Sequence, residues 1–493
     1  MDEKSRRLSS HPPDSRPPST QAVEEPLGPD GRAADLAAVL RAKFRKGARR
    51  HNEGDLEAAI AIYIEVIAQA PDWPVAYHNL GAAYRAQGKW EAAVACYRRA
   101  LEAAPGSPSI LGNLGNTLKD LQRFEEAIAA HRAVVEFEPE NAGAYHNLGV
   151  ALKGSGDLDG ALEAFSTACR LSPEDRKVEW DRALVLLQLG NFAAGWIAYE
   201  ARWHLDEVKR RDFEARRWDG QPFEGRSLLL HPEQGFGDTI LASRFIPQVK
   251  ALGGTVVLEC KMELRRLFSD LEGVDQLVDY GETREGFDLH CPLLSVLGLL
   301  GIRDDNLPPP PRLHIPAESR RRLRPVFKRA GNRFKVGIIW SGSPIFRGNR
   351  WRSATIEQFL KLRDVAGIQM YSLQKGPLEQ ELETSGAFPV VVGLGSHLRD
   401  FADTAAVVDE LDLVIMTDTA VAYLAGSLGK PVWNLLNFVP YWLYRMSGGT
   451  TPLYPSMRLY RQPRPGDWDT VFQQVVDALA EAVQAKKDGR WPG

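Results

Sequence analysis

The chain has 493 residues, 44% hydrophobic and 25% charged, the balance of ordinary globular protein, and a length that predicts about three domains. Its formal charge of −3 removes the electrostatic case for a nucleic-acid binder. The four cysteines form no C-x-x-C pair, so they read as buried small hydrophobes in a reducing compartment rather than a disulfide frame or zinc site.

Residues 1–30 are polar, charged and rich in proline, and read as a disordered tail without the apolar stretch of a secretory signal. The longest apolar runs fall far short of a membrane span. A cytoplasmic protein without integral membrane contact is expected.

Over residues 31–205 the dominant signal is a period of 34 residues, carried by Pro71, Pro105, Pro139 and Pro173. Leu80-Gly81, Leu114-Gly115 and Leu148-Gly149 keep the same step, as do Ala59, Ala93, Ala127 and Ala161. An aromatic follows at Tyr63, Tyr97 and Phe165, where His131 breaks the series. Turn glycines stand at Gly54, Gly88, Gly156 and Gly190, with Gln122 as the exception. Several positions in one register resemble the tetratricopeptide repeat, a helix–turn–helix unit of that length. Small residues let the paired helices approach, the aromatic fills the groove, and proline ends the second helix. Three clear repeats are expected, with a degenerate one before them and a divergent one after. Stacked repeats form a solenoid whose concave face binds extended polypeptide. Asn79, Asn113 and Asn147 recur one position before each Leu-Gly pair; they either hydrogen-bond a captured peptide or are solvated polar positions of a duplicated motif.

Beyond this region the period changes. Strands are predicted at residues 227–230, 255–259 and 276–279, with helices over 239–252 and 262–271 between them. A four-proline run at Pro308 to Pro311 reads as a linker, followed by strands at 335–340, 368–373, 390–392 and 413–416. The expected architecture is an α-solenoid followed by an α/β region of two Rossmann-like lobes, residues 206–310 and 311–493, with a cleft at the C-terminal edges of their sheets.

Three loops follow strands and open helices. The first runs from His231 through Gln234, Gly235 and Gly237 to Asp238; it is neither a dinucleotide fingerprint nor a P-loop. The second holds Ser341, Arg347, Arg350 and Arg352, and the third Asp418, Thr419 and Ala420. Helix N-termini and arginines of this kind suit a phosphate group. Asp157-x-Asp159 and Asp467-x-Asp469 are not placed as metal–diphosphate loops, and no metal constellation is visible. The basic run around Arg320, Arg321, Arg322 and Arg324 reads as a solvated helix face.

The runs Gly235-Phe236-Gly237-Asp238-Thr239-Ile240 and Asp418-Thr419-Ala420-Val421-Ala422-Tyr423 resemble the heptosyltransferase group of glycosyltransferases. With Phe287-Asp288-Leu289-His290-Cys291-Pro292, Ser372-Leu373-Gln374 and Arg461-Gln462-Pro463-Arg464-Pro465, the region from Gly190 to about Asp477 resembles bacterial tetratricopeptide-linked glycosyltransferases, some of which modify flagellin. The resemblance implies a two-lobed GT-B fold, with the acceptor on the first lobe, beside Gln234, Gly235 and Gly237. It places a nucleotide-sugar on the second lobe, beside Ser341, Arg350, Arg352, Gln374, Asp418, Thr419 and Ala420. It implies Asp238 as general base, whose plain alternative is a helix cap. No cofactor is expected beyond the nucleotide-sugar co-substrate, and transfer is expected to proceed without a metal. The sequence departs from the family pattern at Tyr423, Arg347 and Asn349, where histidine, lysine and aspartate are usual. Three readings stay open: transfer of a sugar to a polypeptide hydroxyl, a non-catalytic repeat scaffold with a degenerate transferase region, and transfer to a lipopolysaccharide core.

Overall fold

A computed structural model describes residues 31–205, 208, 211–233, 235–282, 285–344 and 348–492. The tail of residues 1–30, Gln234 and Arg347 lie outside them. Contacts divide the chain into two compact units at Val178/Glu179.

Among the described residues the first unit is built of eight helices, α1 (Gly31–Asn52), α2 (Leu56–Gln69), α3 (Pro74–Ala86), α4 (Trp90–Ala103), α5 (Pro108–Asp120), α6 (Phe124–Phe137), α7 (Ala142–Ser155) and α8 (Leu158–Leu171). The Leu-Gly period is explained by close approach. A Cβ on Gly81 would stand 2.8 Å from the Tyr97 ring, one on Gly115 2.7 Å from His131, and one on Gly149 2.7 Å from Phe165. The turn series is explained by backbone geometry: Gly54, Gly88, Gly156 and Gly190 all have positive φ, and Gln122 adopts φ +59° in the same place.

His131 therefore occupies a socket shaped for an aromatic ring. It is fully buried and neither ring nitrogen has a hydrogen-bond partner. Burial pushes its pKa down to about 4, and that of His78, on α3, also to about 4. Depressed histidine pKa values mean that the unfolded chain binds more protons between about pH 6.5 and 4, so stability is complete above that window and falls as pH drops through it. Each histidine accounts for up to about 3 kcal/mol. His131→Phe is expected to raise the melting temperature of the repeats at neutral pH and to flatten this acid loss. A thermal-melt series from pH 7.5 to 4.5 checks it, and a variant with a lower melting temperature at neutral pH would refute it.

The second unit begins with α9 (Arg176–Leu189), all but the first three residues of which belong to it, and α10 (Phe192–Tyr199). The repeat pattern runs on to about residue 205, but these helices pack on the α/β region: the Trp196 indole donates to Ile302 O (2.8 Å) and Gln188 donates to Pro440 O (3.2 Å).

One parallel sheet contains β1 (Arg216–Arg217), β2 (Ser227–His231), β3 (Thr255–Cys260), β4 (Gln276–Asp279) and β5 (Leu289–Pro292), in the order β1-β5-β2-β3-β4. The other contains β6 (Phe334–Ile339), β7 (Ile368–Ser372), β8 (Val391–Gly393), β9 (Leu413–Thr417), β10 (Val432–Leu436) and β11 (Met457–Arg461), in the order β11-β10-β9-β6-β7-β8. Helices α11 (Phe236–Ser243), α12 (Ile246–Lys250), α13 (Met262–Arg265) and α14 (Ser295–Leu299) belong to the first lobe. Helices α15 (Ala317–Leu323), α16 (Asn349–Arg352), α17 (Ile356–Leu360), α18 (Glu381–Thr384), α19 (Phe401–Glu410), α20 (Ala420–Ser427) and α21 (Trp468–Lys487) belong to the second.

The single helix read over residues 239–252 is two, because Pro247 has no N–H for the helix ladder and opens α12 instead. Strands β1, β5, β10 and β11 were not legible as strands. The basic run on α15 is exposed, as expected of a solvated face, and two of its charges are also paired: Arg320 with Asp409, and Arg322 with the fully buried Asp403, so that they hold α19. Asp157 and Asp467 cap α8 and α21. Among the described residues no helix is long and apolar enough to cross a membrane.

Candidate functional site

Strand order reverses direction at β2 in one sheet and at β6 in the other, and loops at the C-terminal ends of such strands are where open parallel sheets receive ligands. The loop after β2 leads into α11. Gly235 is the N-cap residue of that helix, and the Asp238 carboxylate accepts a hydrogen bond from Gly235 N at 3.0 Å. Asp238 is half-buried, and burial pushes its pKa up to about 6, with Glu233 and Asp418 adding repulsion and Arg352 opposing it.

The loop after β9 leads into α20. Asp418 is 5% exposed, and burial pushes its pKa to about 6 against the attraction of Arg352, whose guanidinium lies 3.9 Å away. Thr419 is the N-cap residue of α20, but no side chain caps that helix start; the Thr419 hydroxyl turns to the Met416 sulfur at 3.7 Å. Ala420 opens the helix. Tyr423, one turn on, is buried, and its ring lies 2.9 Å from where a Cβ on Gly237 would stand, with Ala420 Cα at 3.3 Å. Gly237 is thus the point at which α11 and α20 touch. Tyr444 is 1% exposed, and its hydroxyl faces Asp418 and Tyr423.

The loop after β6 supplies Arg352. Asn349 Nδ2 donates to the Ser341 hydroxyl (2.9 Å), Ser341 Oγ meets Ser353 Oγ (2.9 Å), and Ser341 N donates to Gln374 Oε1 (3.1 Å). Ser341 and Gln374 are therefore interlocked: Gln374, 3% exposed, spends its carbonyl oxygen on the loop backbone. Arg352 Nε reaches Asn349 Oδ1 at 3.4 Å, and a Cβ on Gly342 would lie 2.8 Å from its guanidinium. Arg350 is exposed and lies over the Trp351 ring at 4.3 Å. A cavity of about 360 Å³ opens beside Ser341, lined by Trp340, Ser353, Thr355, Glu357 and Glu381 among others.

Asp238, Asp418 and Arg352, read from three separate loops, converge. Gly235, Gly237, Thr419 and Ala420 frame them, Ser341 and Gln374 brace the arginine-bearing loop, and Arg350 stands apart on the surface. Among the described residues no three histidine, cysteine, aspartate or glutamate side chains group so as to hold a metal ion. The three asparagines of the repeats differ from one another: Asn79 is buried with its Oδ1 unpartnered, Asn113 bonds the His78 ring (2.7 Å), and Asn147 is half-buried.

Sequence reasoning missed Arg202 and Glu233. Arg202 is fully buried, and its guanidinium grips both oxygens of Glu233 at 2.8 and 2.9 Å. Glu233 stood inside the first loop; nothing marked Arg202, which lies 31 residues earlier, near the end of the stretch read as repeats.

The tetratricopeptide repeat family matches residues 74–107 and 142–175, and the related TPR repeat family matches residues 115–156. Protein FlbA of Caulobacter vibrioides is 27% identical over 330 residues, covering 62% of this chain and 55% of its own. The chain thus spans about half the length of that curated relative, and the matched stretch is too long to lie within the first unit. Of solved structures, MamA (residues 41 to end) from Desulfovibrio magneticus RS-1 is 22% identical, covers 34% of this chain and 97% of its own, and has a TM-score of 0.33. Pseudomonas aeruginosa pilF is 20% identical over 34% of this chain and 77% of its own, with a TM-score of 0.32. The chain is therefore a tetratricopeptide-repeat-containing protein whose repeats are followed by an α/β region of two parallel sheets.

Proposed function

We propose that the second unit is a GT-B-type glycosyltransferase that moves a sugar from a nucleotide-sugar onto a Ser or Thr hydroxyl of a polypeptide, and that the repeats capture that polypeptide. The observation that carries this reading is the meeting of two helix N-termini, from two separate parallel sheets, at Asp238, Asp418 and Arg352. In the reaction, the ionised Asp238 takes the proton of the acceptor hydroxyl as its oxygen bonds to the sugar carbon. The bond to the nucleotide breaks, and its electrons go to the leaving phosphate. Arg352 and the uncapped start of α20 stabilise that charge, a role that needs no metal. Flagellin, which some members of the resembled group modify, is one candidate acceptor.

Incubation of the full chain with radiolabelled UDP-, CMP-, GDP- and ADP-sugars and host lysate tests the proposal. One donor is expected to label a protein band and to raise the melting temperature. If no donor labels a band and none shifts the melting temperature, the reading fails. A second reading, a repeat scaffold with an inactive α/β unit, draws on the packing of Tyr423 against Gly237, which leaves no space between α11 and α20 at that level. A donor-induced thermal shift would count against it.

A further inference from the structure

We propose that Arg202 is a positioning residue for Asp238: from the short helical turn after α10 it holds Glu233, and through Glu233 the loop that presents the aspartate. The proposal rests on the transferase reading for its functional meaning, but its geometry stands apart from that reading.

Arg202 belongs to the turn Glu200–His204 and is fully buried. A buried guanidinium is tolerated only when its donors are satisfied, and here they are. Nε and Nη2 bind the two Glu233 oxygens, Nη2 also binds the Ser295 hydroxyl (2.8 Å), and Nη1 binds Tyr199 O (3.0 Å) and Glu200 Oε1 (2.9 Å). The guanidinium sits 4.4 Å from the Tyr199 ring centre and 4.6 Å from that of Trp203. Glu233, 4% exposed at its side chain, also accepts from Leu294 N (3.1 Å), ahead of α14. The pair thus locks the end of β2 to the end of β5. Gly235, two residues beyond Glu233, donates its N–H to Asp238. The lock therefore ends two residues of chain and one hydrogen bond from the aspartate.

This arrangement is also electrostatic. Glu233 is the carboxylate of the same loop that opposes ionisation of Asp238, and Arg202 is its counter-charge. The other groups facing Asp238 come from the second lobe: Asp418 from the loop before α20, Arg352 from α16, Tyr423 from α20 and Tyr441 from the loop after β10. Removing the Glu233 charge while retaining its shape should make Asp238 easier to ionise. Removing Arg202 should do the reverse and loosen the loop.

The test is a carboxyl-carbon NMR titration of Asp238 in the full chain, with no substrate present, for wild type, Glu233→Gln, Arg202→Met and Arg202→Lys. Assignment of the resonance comes from its loss in Asp238→Asn. The expected midpoint for wild type is about 6. Glu233→Gln is expected to lower it by roughly one unit. Arg202→Met, if it folds, is expected to raise it or broaden the titration, and Arg202→Lys to restore part of the wild-type value. Once a donor is known, Glu233→Gln is expected to move the acidic limb of the kcat/KM profile in the same direction. A lowered melting temperature with the Asp238 midpoint unmoved in Glu233→Gln would reduce the pair to plain structure and overturn the proposal. Because the titration needs no donor, failure of the transferase reading leaves this result readable.

Discussion

Replacing Asp238 with asparagine is expected to lower protein labelling by at least about 100-fold while leaving the melting temperature at pH 8 unchanged or higher. The choice of asparagine separates the two roles open to this side chain. As a cap, Asp238 accepts one hydrogen bond from Gly235 N, and an asparagine oxygen accepts the same bond with nearly equal effect. As a base, it must take a proton, which an amide cannot do. The sign of the stability change follows from its pKa of about 6, above the ordinary 3.8. A carboxyl whose folded value is raised binds its proton more tightly in the native state. Its contribution to stability is present below the unfolded value and is lost as pH rises through the folded one. At pH 8 the native state holds an ionised carboxylate near Asp418, and the neutral amide relieves it. In the wild type, kcat/KM is expected to climb with pH through a midpoint near 6. Wild-type labelling by Asp238→Asn would leave the residue a cap and remove it from the mechanism.

Gly237→Ala is expected to damage stability and labelling together. The added methyl would stand 2.9 Å from the Tyr423 ring and 3.3 Å from Ala420 Cα. The ring can turn aside; the backbone of Ala420 cannot move without displacing the start of α20, where Asp418 and Thr419 lie. Overpacking of this kind destabilises by about 1–3 kcal/mol. The melting temperature should therefore fall by several degrees. Labelling should fall by more than the lost folded fraction explains, because Asp238 and Asp418 are pushed apart. A second change, Tyr423→Ala, makes room for the methyl and is expected to recover part of the melting temperature, but less of the labelling. Unchanged melting and labelling in Gly237→Ala would show that the two helix starts are not held by this contact.

The repeats were legible because each unit states the same rule again. Leu-Gly, the aromatic and the turn residue recur at a fixed step, and each has a local cause: a helix that must approach its partner, a ring that fills the gap, a turn at positive φ. Even the exceptions were visible as such. Gln122 takes the left-handed turn without a glycine, and His131 sits unsatisfied in an aromatic socket. The second region was legible as alternating strands and helices, but its interior was not fully so. Strand β5, Leu-His-Cys-Pro, is four residues long and lacks a run of β-branched residues, yet it lies between β1 and β2. What makes it a strand is the pairing on both sides rather than its own propensity.

The candidate site divides the same way. The loops bearing Asp238, Asp418 and Arg352 could be picked out by sequence alone, since glycines, a helix-opening aspartate and arginines after predicted strands are local signals. The role of Gln374, the alliance of Arg322 with Asp403, the approach of Tyr444 to Asp418 and the grip of Arg202 on Glu233 could not. Each joins residues tens of positions apart with no period between them, so no window along the chain contains both partners. Sequence determined where most of the helices, strands and loops fall, because those choices depend largely on near neighbours, with β5 as an exception set by its pairing. Only the tertiary structure decided which charges are buried together, since burial and pairing exist once distant strands have brought their ends to one edge.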